Sequence, residues 1–202
     1  MFRRACFFVV KMKRRKEMKT QTKTKKITLC AVMIALASVL SLVPLYHAPY
    51  GGTVTLGSMV PLILVCMYIK DVRWSLLACF AYSLIQMLFG FAAPPTQTFV
   101  YFLAVVLLDY IIAFTAISVA NPIARLFKNQ VFGIAIGSIA ALLIRFLCHF
   151  ISGILIWGVY APEGQPVWLY SILYNGGYMI PEIVITTVIS TVIYGFLLKN
   201  QK

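Results

Sequence analysis

Four ionisable side chains stand inside long apolar runs: Asp109, Arg145, His149 and Glu182. Charge is costly in lipid, so such groups are candidate functional sites by default. A carboxylate near an imidazole can exchange protons, accept a ligand's N–H groups or balance a cation. Arg145 and His149 are four residues apart and share one face of a helix. Two structural alternatives stay open. Asp109 and Arg145 can form a buried ion pair that only fixes packing, and His149 can make a satisfied interhelical hydrogen bond. Glu182 follows Pro181 and reads as an acid near a helix start, where the helix dipole favours it.

Aromatic side chains crowd the same region. Tyr46, His47, Tyr50, Trp157, Tyr160, Trp168, Tyr170, Tyr174 and Tyr178 all fall near one set of span ends. An interfacial belt accounts for several of them. A cage of ring faces, which attracts cations and stacks on flat heterocycles, is the functional alternative. Asn175 adds an amide able to donate and accept, as a pyrimidine or purine edge requires. An acid beneath an aromatic rim points to a membrane site for a small cationic aromatic. The sequence contains no GxxxxGK[ST], no HExxH and no GxSxG. Its five cysteines are scattered without metal-ligand spacing and read as packing residues.

Composition sets the elements that must position these groups. The 202 residues are 61% hydrophobic and 11% charged, far greasier than a soluble domain. The chain is expected to be an all-α integral membrane protein, which excludes a soluble enzyme, a nucleic-acid module and a disulfide scaffold. The net charge of +13 is local, since eleven of the eighteen Lys and Arg lie in residues 1–26. That arm reads as a cytoplasmic flank touching anionic lipid, with no nucleic-acid partner. Met12 and Met18 offer later starts, and a start at Met18 still leaves a charged flank.

Six apolar stretches follow: Ile27–Tyr46, Leu56–Ile69, Trp74–Phe91, Phe99–Val119, Val131–Trp157 and Val167–Leu198. The second is short for a crossing of about 20 residues and is expected to begin among Gly51, Gly52 and Thr53. The sixth is too long, so its part before Pro181 is expected to lie at the interface or enter at an angle. Connections 70–73 and 120–130 and the tail carry Lys or Arg, whereas 47–55, 92–98 and 158–166 carry none. Both termini are therefore cytoplasmic. The expected organisation is a basic arm over 1–26, a six-helix membrane domain over 27–198 and a cytoplasmic tail over 199–202. Asp109 is then roughly 15 Å below the outer surface and His149 roughly 12 Å, so the two can meet.

The segment RFLCHFISGILIWGVYAPEG, then Tyr170, then YNGGYMIPE, resembles the thiamine-specific S-components of energy-coupling factor (ECF) transporters. GGTVTLGSMVPL, LLDYIIAF and AVMIA add to the likeness, which runs over about residues 27–198. The resemblance implies a six-helix vitamin-binding subunit of a bacterial plasma-membrane importer that captures thiamine with high affinity. It implies no cofactor of its own. Its partners would be a transmembrane coupling protein and two ATP-binding subunits, ATP being used only by the latter. Carried over by position, the ligand-binding residues would be Asp109, Tyr110, His149, Trp157, Tyr170 and Asn175. Tyr82 falls where some relatives have Trp in the third span. Gly52 or a neighbour falls where some carry Trp in the first outer loop, and Tyr50 is the substitute there. Ala31 and Ala35 match the AxxxA pattern that docks on the coupling protein, where small side chains let helices approach closely. The alternatives are the same fold binding another vitamin or a thiamine precursor, or an intramembrane enzyme using Asp109 and His149.

Overall fold

Helices dominate because a lipid-embedded backbone has no partner but itself. A computed structural model describes residues 22–200. It contains six helices: α1 Lys23–Ser41, α2 Val60–Ile69, α3 Val72–Gly90, α4 Phe99–Ala124, α5 Gln130–Leu155 and α6 Val167–Lys199. All but α2 are long and apolar enough to cross a membrane. Most of the basic arm lies outside the described residues.

Local chemistry starts the helices on the basic side. Thr22 accepts a hydrogen bond from the Lys25 N–H at the head of α1. Asp71 caps α3 through the Arg73 N–H, and Asn129 caps α5 through the N–H groups of Val131 and Phe132. Lys26 donates to Asp71 at 2.7 Å, joining α1 to α3, and this hydrogen bond holds the Asp71 carboxyl below its ordinary range. Arg125 donates to the Lys70 carbonyl. The basic connections therefore gather at one face, which the positive-inside bias assigns to the cytoplasm.

The second apolar stretch differs from expectation. Its helix begins at Val60, and residues before it form a small hairpin at the opposite face. Strand β1 (Pro44–His47) pairs antiparallel with β2 (Thr53–Thr55), so that Tyr46 faces Val54 and His47 faces Thr53. Helix α2 rises about 15 Å, half of a hydrocarbon core of about 30 Å. All its residues except Tyr68 are buried, so it is a core element with protein around most of its surface. Leu62, Ile63, Val65 and Cys66 pack there with Cys79, Ile117 and Leu142 at no measurable exposure. The described cysteines, Cys30, Cys66, Cys79 and Cys148, are all free and buried.

The sixth stretch also differs. Helix α6 runs unbroken from Val167 to Lys199 with Pro181 inside it. Proline removes the hydrogen bond to the Gly177 carbonyl, but packed neighbours hold a membrane helix through such a gap. Met179 and Glu182 beside it are buried, exposed by only 0% and 2%. Glu182 is therefore a mid-helix acid, not one at a helix start.

Candidate ligand-binding site

The site is built where α4 departs from regular geometry. Residues Val106–Ile112 form a π-helical stretch, and Asp109 lies within it. Such local widening re-aims side chains and recurs at functional sites. Asp109 turns towards α5, where His149 and Ser152 occupy one face at i, i+3 spacing. His149 Nδ1 is 3.0 Å from Asp109 Oδ1. Ser152 Oγ donates to Oδ2 at 2.7 Å and Trp157 Nε1 donates to Oδ2 at 3.0 Å. Trp157 is placed by the short turn Trp157–Tyr160 that ends α5.

This arrangement replaces the alternative of an Asp109–Arg145 ion pair. Both carboxylate oxygens are already occupied by His149, Ser152 and Trp157. A carboxylate offers about four lone-pair sites, so three protein donors leave about one for a ligand. With Nδ1–H pointing at Asp109, the His149 Nε2 lone pair faces away, and Nε2 is buried without a partner. Asp109 and His149 Nε2 together make an acceptor pair suited to an amino group.

Helix α6 supplies the opposite wall. Gly153 lets it approach α5: a Cβ there would collide with Ser171 Oγ and lie 2.9 Å from Asn175 Nδ2. Asn175 Nδ2 donates to the carbonyls of His149 and Ser171, and Oδ1 accepts from the Tyr178 O–H at 2.7 Å. Its amide is thus largely consumed in joining the helices, unlike the free two-way group expected from sequence. Tyr178 meets the His149 ring edge-on at 6.2 Å, and Tyr170 stacks on Tyr174 at 5.7 Å.

The hairpin covers the cavity from outside. Tyr174 O–H donates to the Pro49 carbonyl and accepts from the Gly52 N–H. Deeper in, Glu182 accepts from the Thr55 N–H at 2.7 Å and the Thr55 hydroxyl at 2.8 Å. Glu182 thus clamps the cover onto α6 while lining the cavity. Gly52 is forced by space, since a Cβ would lie 2.6 Å from the Tyr178 ring. Tyr50, left-handed at φ 64°, stacks on Tyr160 at 3.9 Å. It is the aromatic that the first outer loop contributes.

The cavity volume is about 440 Å³. Asp109, Tyr110, His149, Trp157, Tyr170, Asn175 and Tyr50 all line it, and Tyr82 does not. Tyr82 is fully buried behind the wall, edge-on to Phe114 at 5.3 Å. Tyr110 offers only its ring, because its hydroxyl donates to the Gly90 carbonyl and accepts from the Ala92 N–H. Sequence reasoning missed Ser152, whose signal was its spacing from His149. It named Tyr174 and Tyr178 only among the rim aromatics and read Glu182 as structural, although all three share one face of α6 at i, i+4, i+8. Ala31 and Ala35 lie elsewhere, exposed on the lipid-facing side of α1.

Residues 27–201 match the family model described as thiamine transporter protein (Thia_YuaJ). The chain is 32% identical over 192 residues to the thiamine transporter ThiT of Bacillus subtilis (strain 168), a match spanning 85% of this chain and 93% of that protein. It is 34% identical over 105 residues to the thiamine transporter ThiT of Lacticaseibacillus paracasei, covering 46% and 48% of the two chains. Among solved structures, ThiT from Listeria monocytogenes superposes with a TM-score of 0.65 at 24% identity, over 87% of this chain and 93% of that one.

Proposed function

The chain belongs to the thiamine transporter protein family, and from that membership we propose that it captures thiamine from outside the cell as the binding subunit of an ECF importer. It is a multi-pass cell-membrane transport protein and not an enzyme. The observation that carries the ligand reading is the Asp109 carboxylate, oriented by His149, Ser152 and Trp157 with one acceptor position to spare.

Thiamine joins an aminopyrimidine to a thiazolium cation. Its amino N–H groups suit Asp109 and His149 Nε2. The cationic ring suits the faces of Trp157 and the tyrosines, where the ring quadrupole attracts positive charge. Because Asp109 is held before ligand arrives, little ordering cost falls on binding. The hairpin clamped by Tyr174 and Glu182 covers part of the cavity, and a contact shielded from bulk water is the stronger for it.

Two features support a subunit driven by partners. The sequence has no phosphate-binding loop, which fits ATP hydrolysis on separate subunits. Ala31 and Ala35 are exposed one turn apart on α1, which fits close approach of a coupling protein's helix. Titration calorimetry on the purified chain tests the ligand reading. Thiamine should bind at least two orders of magnitude more tightly than the neutral hydroxymethyl pyrimidine. Equal affinity for the two, or no thiamine binding, would overturn it.

A further inference from the structure

Arg145 is the charge at the site that the Asp109 geometry leaves unused. It lies on the same face of α5 as His149 and Gly153, four and eight residues before them, and all three line the cavity. It is therefore about 6 Å closer to the cytoplasmic side than His149. Among the described residues no carboxylate comes within 4 Å of it, the ion pairs there being Lys26–Asp71 and His149–Asp109. Its Nε is buried without a hydrogen-bond partner. The guanidinium rests 4.6 Å from the centre of the Phe114 ring, which supports its face without using its N–H groups.

Neither nearby acid pairs with it directly. Asp109 accepts from His149, Ser152 and Trp157, and Glu182 from Thr55 and Ser58, and neither carboxylate bonds the guanidinium directly. An ionisable group within a membrane span is costly and functional by default. The cavity thus offers different polar groups along its length. Asp109 and His149 Nε2 stand as acceptors at the outer end, and the inner end holds the Arg145 donor with Glu182, engaged by Thr55, on the same wall.

We propose that Arg145 donates to the hydroxyethyl oxygen of thiamine and makes the inner end of the cavity a second specificity contact. This rests on the thiamine reading above. Thiamine has the matching polarity: amino donors on the pyrimidine at one end, and an oxygen acceptor on a flexible arm at the other. The arm separates the cationic ring from the guanidinium, and the Glu182 carboxylate on the same cavity wall offsets their repulsion.

The test pairs a change in the ligand with a change in the protein. Calorimetry on the full-length purified chain compares thiamine with the analogue whose hydroxyethyl arm is replaced by ethyl. A hydrogen bond from a charged donor discriminates by about 10- to 100-fold, so wild type should prefer thiamine by that factor. Arg145→Met should weaken thiamine relative to the ethyl analogue by the same factor, closing the gap. Arg145→Lys should recover part of it. Equal affinity of wild type for the two ligands overturns the proposal without any variant. So does an Arg145→Met protein that loses both ligands equally, which marks a packing role. A wild type that binds neither ligand overturns the thiamine reading itself, whereas thiamine binding with no gap sinks only the role of Arg145.

Discussion

Replacing Asp109 by Asn changes two oxygens into one oxygen and one N–H₂ with almost no change of shape. Three protein groups face that position: His149 Nδ1 at 3.0 Å, Ser152 Oγ at 2.7 Å and Trp157 Nε1 at 3.0 Å. Trp157 can only donate, so the amide oxygen must stay on its side and the new N–H₂ must face His149. His149 then accepts at Nδ1 and carries its proton on Nε2. The ring nitrogen that would accept from the ligand becomes a donor. The substitution thus removes the charge and reverses the neighbouring acceptor, while the internal hydrogen bonds survive in number. Breaking a buried charge-assisted pair from one side costs about 3–5 kcal/mol, which is about 10²- to 10⁴-fold in affinity. Calorimetry with thiamine, alongside a thermal melt without ligand, reads both parts. The dissociation constant should rise at least a hundredfold with little change in the melt. A constant within threefold of wild type would refute the role of Asp109.

Three further outcomes are expected. Trp157→Phe should abolish most thiamine-induced fluorescence quenching, since Trp74 sits by Lys26 on the cytoplasmic face and Trp168 is 56% exposed; full quenching in the variant would move the stacking to one of those two. Gly153→Ala should push α6 from α5 through the clash with Ser171, costing about 1–3 kcal/mol and lowering the melting temperature; an unchanged melt would show that the helices absorb the methyl. Ala31→Trp with Ala35→Trp should bind thiamine like wild type yet fail to co-purify with the coupling protein and fail to support uptake. Normal uptake would place the docking face elsewhere, and lost binding in the isolated protein would place α1 in the pocket.

Hydropathy and charge alternation carried most of the fold. Apolar length marks five of the six helices, and the basic connections mark their cytoplasmic face. Depth counting along α4 and α5 brought Asp109 and His149 to one level, and they meet. What failed has physical causes. Val54 is apolar because the hairpin buries it and Leu56 is an exposed apolar residue beside the strand, so hydropathy alone read them into a span. Pro181 breaks helices in water, but packing against α5 carries α6 through it. The π-helical stretch at Asp109 has no composition of its own, because tertiary contacts decide where an extra residue enters a turn. Asn175 looked free because sequence shows an amide but not the carbonyls of His149 and Ser171 that consume it. Tyr82 has the aromatic character of a wall residue yet points into the core formed with Phe114.

The central claim is that this cavity holds thiamine, and the protein as made by cells can answer it. Membranes expressing the full chain are solubilised without added vitamin, the protein is purified and denatured, and the released small molecules are identified by mass spectrometry. Thiamine should appear at close to one molecule per chain from wild type and be nearly absent from Asp109→Asn. A pyrimidine precursor or another vitamin released instead, or equal thiamine from both proteins, would contradict the claim.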